Sequence, residues 1–233
     1  MKINFLTLFP RYYEPFSNES IIKRAIEKKL VEIEVIDFRN FSLNKHHKVD
    51  DEIFGGGHGL LLQVEPIDLA LIDLEKRSNK EATKLKVLVS PQGKVFNQQM
   101  ANEWAKNYQE ITFISGRYEG FDERVVELVD CEVSIGDFVL TGGELPSMVM
   151  ADSVIRLVPG VINQLSHELD SFQGNGLLDY PQYTRPRNYK GMVVPDVLFN
   201  GDHKAIEKWK KEAQIAKTKK NRPDLLERMP KND

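Results

Sequence analysis

The residues able to do chemistry in this sequence stand in its loops. Asp170 and Asp179 fall in DSFQGNGLLDYPQYTRP, near aromatic residues and Arg185. A loop carboxylate either takes a proton from a bound group or caps a turn, and composition permits both. Arg156, late in ELPSMVMADSVIRLV, is a cation for developing negative charge or a surface ion-pair partner. Arg117 and Glu119 in GRYEG read as a local ion pair. His46 and His47, flanked by Lys45 and Lys48, form a basic stretch suited to touching phosphate. Adjacent histidines with no cysteine set make a poor zinc site. No GxSxG elbow supports a serine nucleophile. The segment SIGDFVLTGGELP, residues 134–146, places Gly136, Gly142 and Gly143 among apolar residues. Glycine weakens a strand, so its use here implies close approach to bare backbone. The Lys-Ser/Thr of a P-loop and the GxGxxG spacing are both missing, which argues against a phosphate ligand. FGGGHG, 54–59, is a second loop of exposed backbone.

The elements that must position these loops follow from periodicity. Strands are expected at 2–9, 31–37, 85–90, 111–115 and 131–136, the third stopped by PQG. Helices are expected at 20–30 with Ser20 as N-cap, at 66–77, at 97–107 capped by Asn97, at 121–129, and at 144–158 with residues 145, 148, 149 and 155 on its apolar side. Residues 38–59 read as irregular but too long for an idle connection. Alternating strands and helices predict an α/β fold, a mainly parallel sheet with helices on both faces. Ligands of such sheets bind beyond the strands' C-terminal ends, and SPQG, GRYEG and SIGDFVLTGG each follow a strand. They are therefore expected to form one pocket.

The chain has 233 residues, 41% hydrophobic and 29% charged, as a globular protein does. No apolar run is long enough for a membrane span. The apolar start is cut by Pro10 and Arg11, so a first strand is expected there rather than a signal peptide. The single cysteine, Cys131, fits a buried strand position and a reducing cytoplasm. Charge is uneven. Residues 185–233 carry 13 Lys/Arg against 7 Asp/Glu, whereas residues 1–184 carry 19 against 28. A basic tail on an acidic body either meets phosphate or is a solvated helical tail. The expected organisation is a ligand-binding domain over 1–160, a linker over 161–184, and a helical domain over 185–233.

Nine motifs occur in order: TLFP, VDDEIFGGGHG, SPQG, GRYEGFDERV, SIGDFVLTGGELP, DSVIRLVPGV, DSF, GLLDYPQYTRP and GMVVPDVL. Together they resemble the bacterial tRNA (guanine-N1)-methyltransferase (TrmD) family over essentially the whole chain. The resemblance implies a SPOUT-type fold with a deep trefoil knot, and a homodimer with composite active sites. It implies methyl transfer from S-adenosylmethionine to N1 of guanosine 37 in tRNA, which helps keep the reading frame, aided by magnesium. It assigns cofactor contact to Ser90, Pro91, Gly93, Gly116, Gly120, Ile135, Gly136, Asp137, Phe138, Val139, Leu140, Gly142, Gly143 and Pro146, with Glu119 near the sulfonium. Asp170 matches the base and Arg156 the O6 stabiliser. Asp50, His46, Lys48, Asp179 and Arg185 are expected to touch the RNA, with basic helices at 202–222 gripping the anticodon stem. The family's GGGPG stands here as GGGHG, and the stretch from DSF to GLLD is one residue longer. Rival readings are a methyltransferase for another RNA nucleotide, a silent RNA-binding module, and a nucleotide hydrolase, the last opposed by the missing lysine.

Overall fold

The computed structural model describes residues 1–163, His167 and 170–227. Its contacts divide the chain into two units, Met1–Ile162 and Asn163–Asp233. The last residues of the helical domain expected over 185–233, from Arg228 on, lie outside the described residues.

The first unit opens with β1 (Lys2–Thr7), a 3-10 turn at Pro10–Tyr13, α1 (Glu14–Asn18), α2 (Ser20–Glu27) and β2 (Glu32–Asp37). A short antiparallel hairpin, β3 (Asp50–Glu52) and β4 (Leu60–Leu62), leads into α3 (Val64–Arg77). Then come β5 (Lys84–Val95), α4 (Gln98–Asn107), β6 (Glu110–Ser115), a 3-10 helix at Glu123–Leu128, β7 (Cys131–Ser134) and α5 (Glu144–Ile155). The five long strands form one sheet in the order β2-β1-β6-β5-β7, every pair parallel. Parallel strands need both faces covered, which is why these segments read as apolar runs. Alternation along β1 and β6 sends Ile3, Phe5, Ile111 and Phe113 to one core with α2, α4 and α5. It sends Leu6 and Ile114 to the other, against Ile67, Ala70, Leu71 and Leu74 of α3.

Four sequence expectations need correction. β5 does not stop at PQG. Its pairing with β7 shifts register between Val89 and Lys94, then resumes with Lys94 opposite Val133. Ser20 does not cap α2; it begins the helix at φ +52°, whereas Asn97 does cap α4 by accepting from Met100 N–H at 3.0 Å. The packed face of α5 is Pro146, Ser147, Met150, Ala151, Val154 and Ile155, leaving Leu145 53% and Val149 51% exposed. That helix is apolar nearly all round, so periodicity could not orient it. The stretch 38–59 contains β3 and a 3-10 turn at Phe38–Phe41.

The second unit contains the small hairpin β8 (Asn188–Tyr189) and β9 (Met192–Val193), a 3-10 turn at Asp196–Phe199, α6 (His203–Asn221) and α7 (Pro223–Glu227). Asp202 caps α6 by accepting from Lys204 and Ala205 N–H. Much of the segment expected as a linker packs on this helix. Leu178 N–H donates to Thr218 Oγ1 at 3.2 Å, Asn175 Nδ2 donates to Gln214 Oε1 at 3.0 Å, and the Tyr183 and Trp209 rings lie 6.3 Å apart.

Candidate active site

The irregular stretch of β5 at its register shift and the loops after β6 and β7 meet in one cavity, because these strands are neighbours in a parallel sheet and all point the same way. The irregular stretch of β5 supplies Ser90 and Pro91; the loop after β6 supplies Gly116, Glu119 and Gly120; the loop after β7 supplies Ile135, Phe138, Val139, Leu140, Gly142 and Gly143, with Pro146 in the first turn of α5. Gly93, Gly136 and Asp137 do not line it. Val89, Arg117, Tyr118, Phe121, Val133, Ser134 and Thr141 also line the cavity. Tyr118 and Thr141 sit inside the very motifs that carried the resemblance, so loop membership was the available signal for them.

The glycines have a different cause from the one the sequence suggests. A Cβ on Gly93 would lie 2.3 Å from Glu132 C and Val133 N, and one on Gly143 would lie 2.8 Å from Ser115 Cα. One on Gly116 would strike the Phe121 ring at 2.6 Å. Real Cβ atoms do not come so close, so bare backbone at these positions is demanded by other protein segments rather than by a ligand. Gly120 differs: its surroundings are open, and φ of +117° alone calls for glycine.

Behind the cavity lies a polar network. Arg117 Nε sits 3.0 Å from Glu144 Oε2, close enough for ion pairing although its N–H makes no aligned hydrogen bond. Arg117 Nη1 donates to Thr141 O at 3.0 Å, and the guanidinium lies 4.4 Å from the Phe9 ring centroid and 5.2 Å from that of Tyr12. Burial works against its charge, but contacts with Tyr12 and Glu144 outweigh it and hold its pKa above the usual value. Glu144, 1% exposed, also accepts from Thr7 Oγ1 at 2.9 Å. The local Arg117–Glu119 pair expected from sequence is thus replaced by a pair across 27 positions. Next to it, Tyr13 OH bonds Ser115 and Ser147 at 3.0 and 2.9 Å, and burial pushes the phenol up to about 12.

Apolar side chains and main chain form most of the cavity wall, Glu119 is its carboxylate, and no lysine lines it among the described residues. Its arginine is already committed to Glu144 and Thr141. Such a lining fits a phosphate-free nucleoside carrying positive charge: peptide N–H and C=O groups read base edges, apolar residues face the ring, and a carboxylate meets a cation. It does not fit a triphosphate.

The other expected residues lie elsewhere. Arg156 is the C-cap of α5 in the first unit, and its charge opposes the upward pull of burial on Asp152. Asp170 belongs to the second unit, where its carbonyl accepts from Gln173 N–H at 3.2 Å. Asp179 shapes its own loop, accepting from Tyr180 N–H at 2.7 Å and Gln182 Nε2 at 2.6 Å. Arg185 is exposed. His46 and Lys48 are exposed before β3, Lys48 Nζ lying 3.3 Å from Asp51 Oδ1, and Asp50 opens β3 opposite Leu62. Burial pushes the Cys131 thiol up to about 11, which keeps it an unreactive thiol. Among the described residues no group of three or more His, Cys, Asp or Glu gathers to hold a metal ion, so no residue is assigned to magnesium.

The fold and site define an α/β protein whose candidate ligand cavity lies where parallel sheets bind their ligands, at the C-terminal edge of neighbouring strands. The family is narrower. The model of the tRNA (guanine-1)-methyltransferase TrmD family matches residues 1–228, and the chain belongs to that family. It is similar to proteins named tRNA (guanine-N(1)-)-methyltransferase from Mycoplasmopsis synoviae (strain 53), 70% identical over 98% of each chain, and Mycoplasmopsis pulmonis (strain UAB CTIP), 62% identical over 98% of this chain and 97% of the relative. A relative of the same name from Staphylococcus carnosus (strain TM300) is 50% identical over 99% of this chain and 92% of its own.

Proposed function

We propose that this chain methylates N1 of guanosine 37 in tRNA with S-adenosylmethionine as donor, a modification that helps keep the reading frame. The observation that carries the reading is the strand-end cavity, with its phosphate-averse lining and single carboxylate, in a chain of this family. When bound, S-adenosylmethionine supplies a methyl group activated by a sulfonium. Glu119 would stabilise that positive charge, and Ile135, Leu140 and Pro146 would bound the adenine. N1 of guanine carries a proton and becomes nucleophilic only as the proton leaves, while negative charge moves to O6. Asp170 is assigned to take the proton and Arg156 to donate to O6. Positioning for in-line displacement then supplies much of the acceleration. Magnesium remains an expectation of the resemblance, and no step is routed through it.

The finer fold and assembly belong to the same reading. A SPOUT-type trefoil knot is the form of this sheet that the family resemblance implies. A homodimer is supported by apolar side chains left exposed on α5, Leu145 and Val149. A division into a cofactor-binding domain, a connecting stretch and a basic tRNA-binding domain, in a cytoplasmic enzyme, completes it. Asp50, His46, Lys48, Asp179 and Arg185 are proposed to contact the RNA.

The test is incubation with labelled S-adenosylmethionine and unmodified tRNA bearing guanosines at 36 and 37, followed by mapping of the modified base. Label should appear on N1 of guanosine 37. Asp170→Ala should cut single-turnover transfer by about 100-fold or more while leaving cofactor affinity nearly intact. Label on another base would refute the substrate, and a wild-type rate in the variant would refute the base.

A further inference from the structure

Phe54 is 98% exposed, more than any other large hydrophobic residue among those described. It stands in the turn between β3 and β4, where Gly56 N–H donates to Ile53 O at 3.1 Å and Gly55, Gly56 and Gly59 take φ of +86°, +85° and +86°. The far end of this turn abuts the cavity wall. A Cβ on Gly59 would lie 2.4 Å from Glu119 Cγ, Glu119 N–H donates to Leu60 O at 3.2 Å, and Leu62 N–H donates to Gly120 O at 2.9 Å. The approach to β3 carries the exposed Lys45, His46, His47 and Lys48.

We propose that Phe54 is a stacking platform for an unpaired nucleobase of the substrate RNA, next to the guanosine that is methylated. The inference rests on the function proposed above. A lone ring followed by three glycines offers no apolar patch for a protein partner, but one ring is the footprint of one base. Gly59, which abuts the Glu119 side chain of the cavity wall, is five positions after Phe54, so the two Cα atoms lie within about 18 Å. The cations at 45–48, on the approach to β3, suit an anionic backbone, while β3 itself carries Asp50, Asp51 and Glu52. A base extruded for chemistry leaves neighbouring π faces uncovered, and an aromatic side chain covers such a face whatever its sequence.

The test compares the full-length wild type with Phe54→Ala and Phe54→Trp. Cofactor affinity by calorimetry should be the same in all three. Phe54→Ala should lower kcat/KM for unmodified tRNA by about tenfold or more, the scale of one lost base stack. Phe54→Trp should recover most of that loss, and its fluorescence should be quenched by tRNA beyond the change Trp104 and Trp209 show in the wild type. A Phe54→Ala enzyme within twofold of wild type, or a Phe54→Trp signal that tRNA does not quench, overturns the proposal. If the wild type itself transfers no methyl, the proposed function falls, and the quenching titration still decides whether Phe54 stacks on RNA.

Discussion

Arg117 is held by partners from three parts of the chain: the rings of Phe9 and Tyr12 after β1, the Thr141 carbonyl, and the buried Glu144 carboxylate at the start of α5. It therefore ties the loop after β6 to the loop after β7, and both line the cavity. Removing one member of a buried ion pair is costly because the other stays desolvated. Arg117→Met should lower unfolding free energy by about 3 kcal/mol in urea denaturation. Adding Glu144→Gln should give back at least about 1 kcal/mol, since a neutral amide needs no cation. Simply additive losses would show that the pair is not coupled. This pair was illegible in the sequence. Glu119 stands two positions from Arg117 and invited a local pairing, whereas Glu144 is brought near only by the return of the chain after β7.

At the scale of elements, the parallel sheet was legible because burial on both faces leaves apolar runs. The gathering of the GRYEG and SIGDFVLTGG loops with SPQG at one edge of the sheet followed from strand direction. What sequence could not supply was the partner of each glycine, since those contacts are non-local. SPQG carries strong turn signals, yet β5 continues past it because β7 accepts the ladder again at Val133. The glycines thus fall into two kinds. Gly93→Ala forces a side chain into the backbone of β7 and should cost more than about 3 kcal/mol, or prevent folding. Gly120→Ala meets open space and only conformational strain, about 1–2 kcal/mol. Thermal denaturation of the two variants should rank them in that order; equal melting temperatures would mean the close approach of Gly93 to β7 relaxes freely.

At the scale of the whole molecule, the charge asymmetry of the sequence resolves onto α6, which carries Lys204, Lys208, Lys210, Lys211, Lys217, Lys219 and Lys220. Some of this charge is compensated locally, with Lys210 Nζ 2.7 Å from Glu207 Oε1 and Lys208 Nζ 3.9 Å from Glu212 Oε1. Lys219 and Lys220 stand in the last turn, where the helix dipole favours cations. Binding of tRNA should weaken steeply with salt, and Lys219→Ala with Lys220→Ala should make the log–log slope shallower by about 1 to 2. A slope unchanged in the double variant would take this end of α6 off the RNA. Cofactor binding, by contrast, should hardly respond to salt, because the cavity engages no phosphate.

That contrast leads to the most direct test, a calorimetric titration of the full chain with S-adenosylmethionine, beside the variant Leu140→Arg. Leu140 is half-exposed at the cavity, so the substitution spares the core while placing bulk and positive charge where the sulfonium compound would lie. The expected result is saturable binding to the wild type and its loss in the variant, with melting temperatures alike. Absence of binding to the wild type, or undiminished binding to Leu140→Arg, would contradict the assignment of the strand-end cavity to the methyl donor.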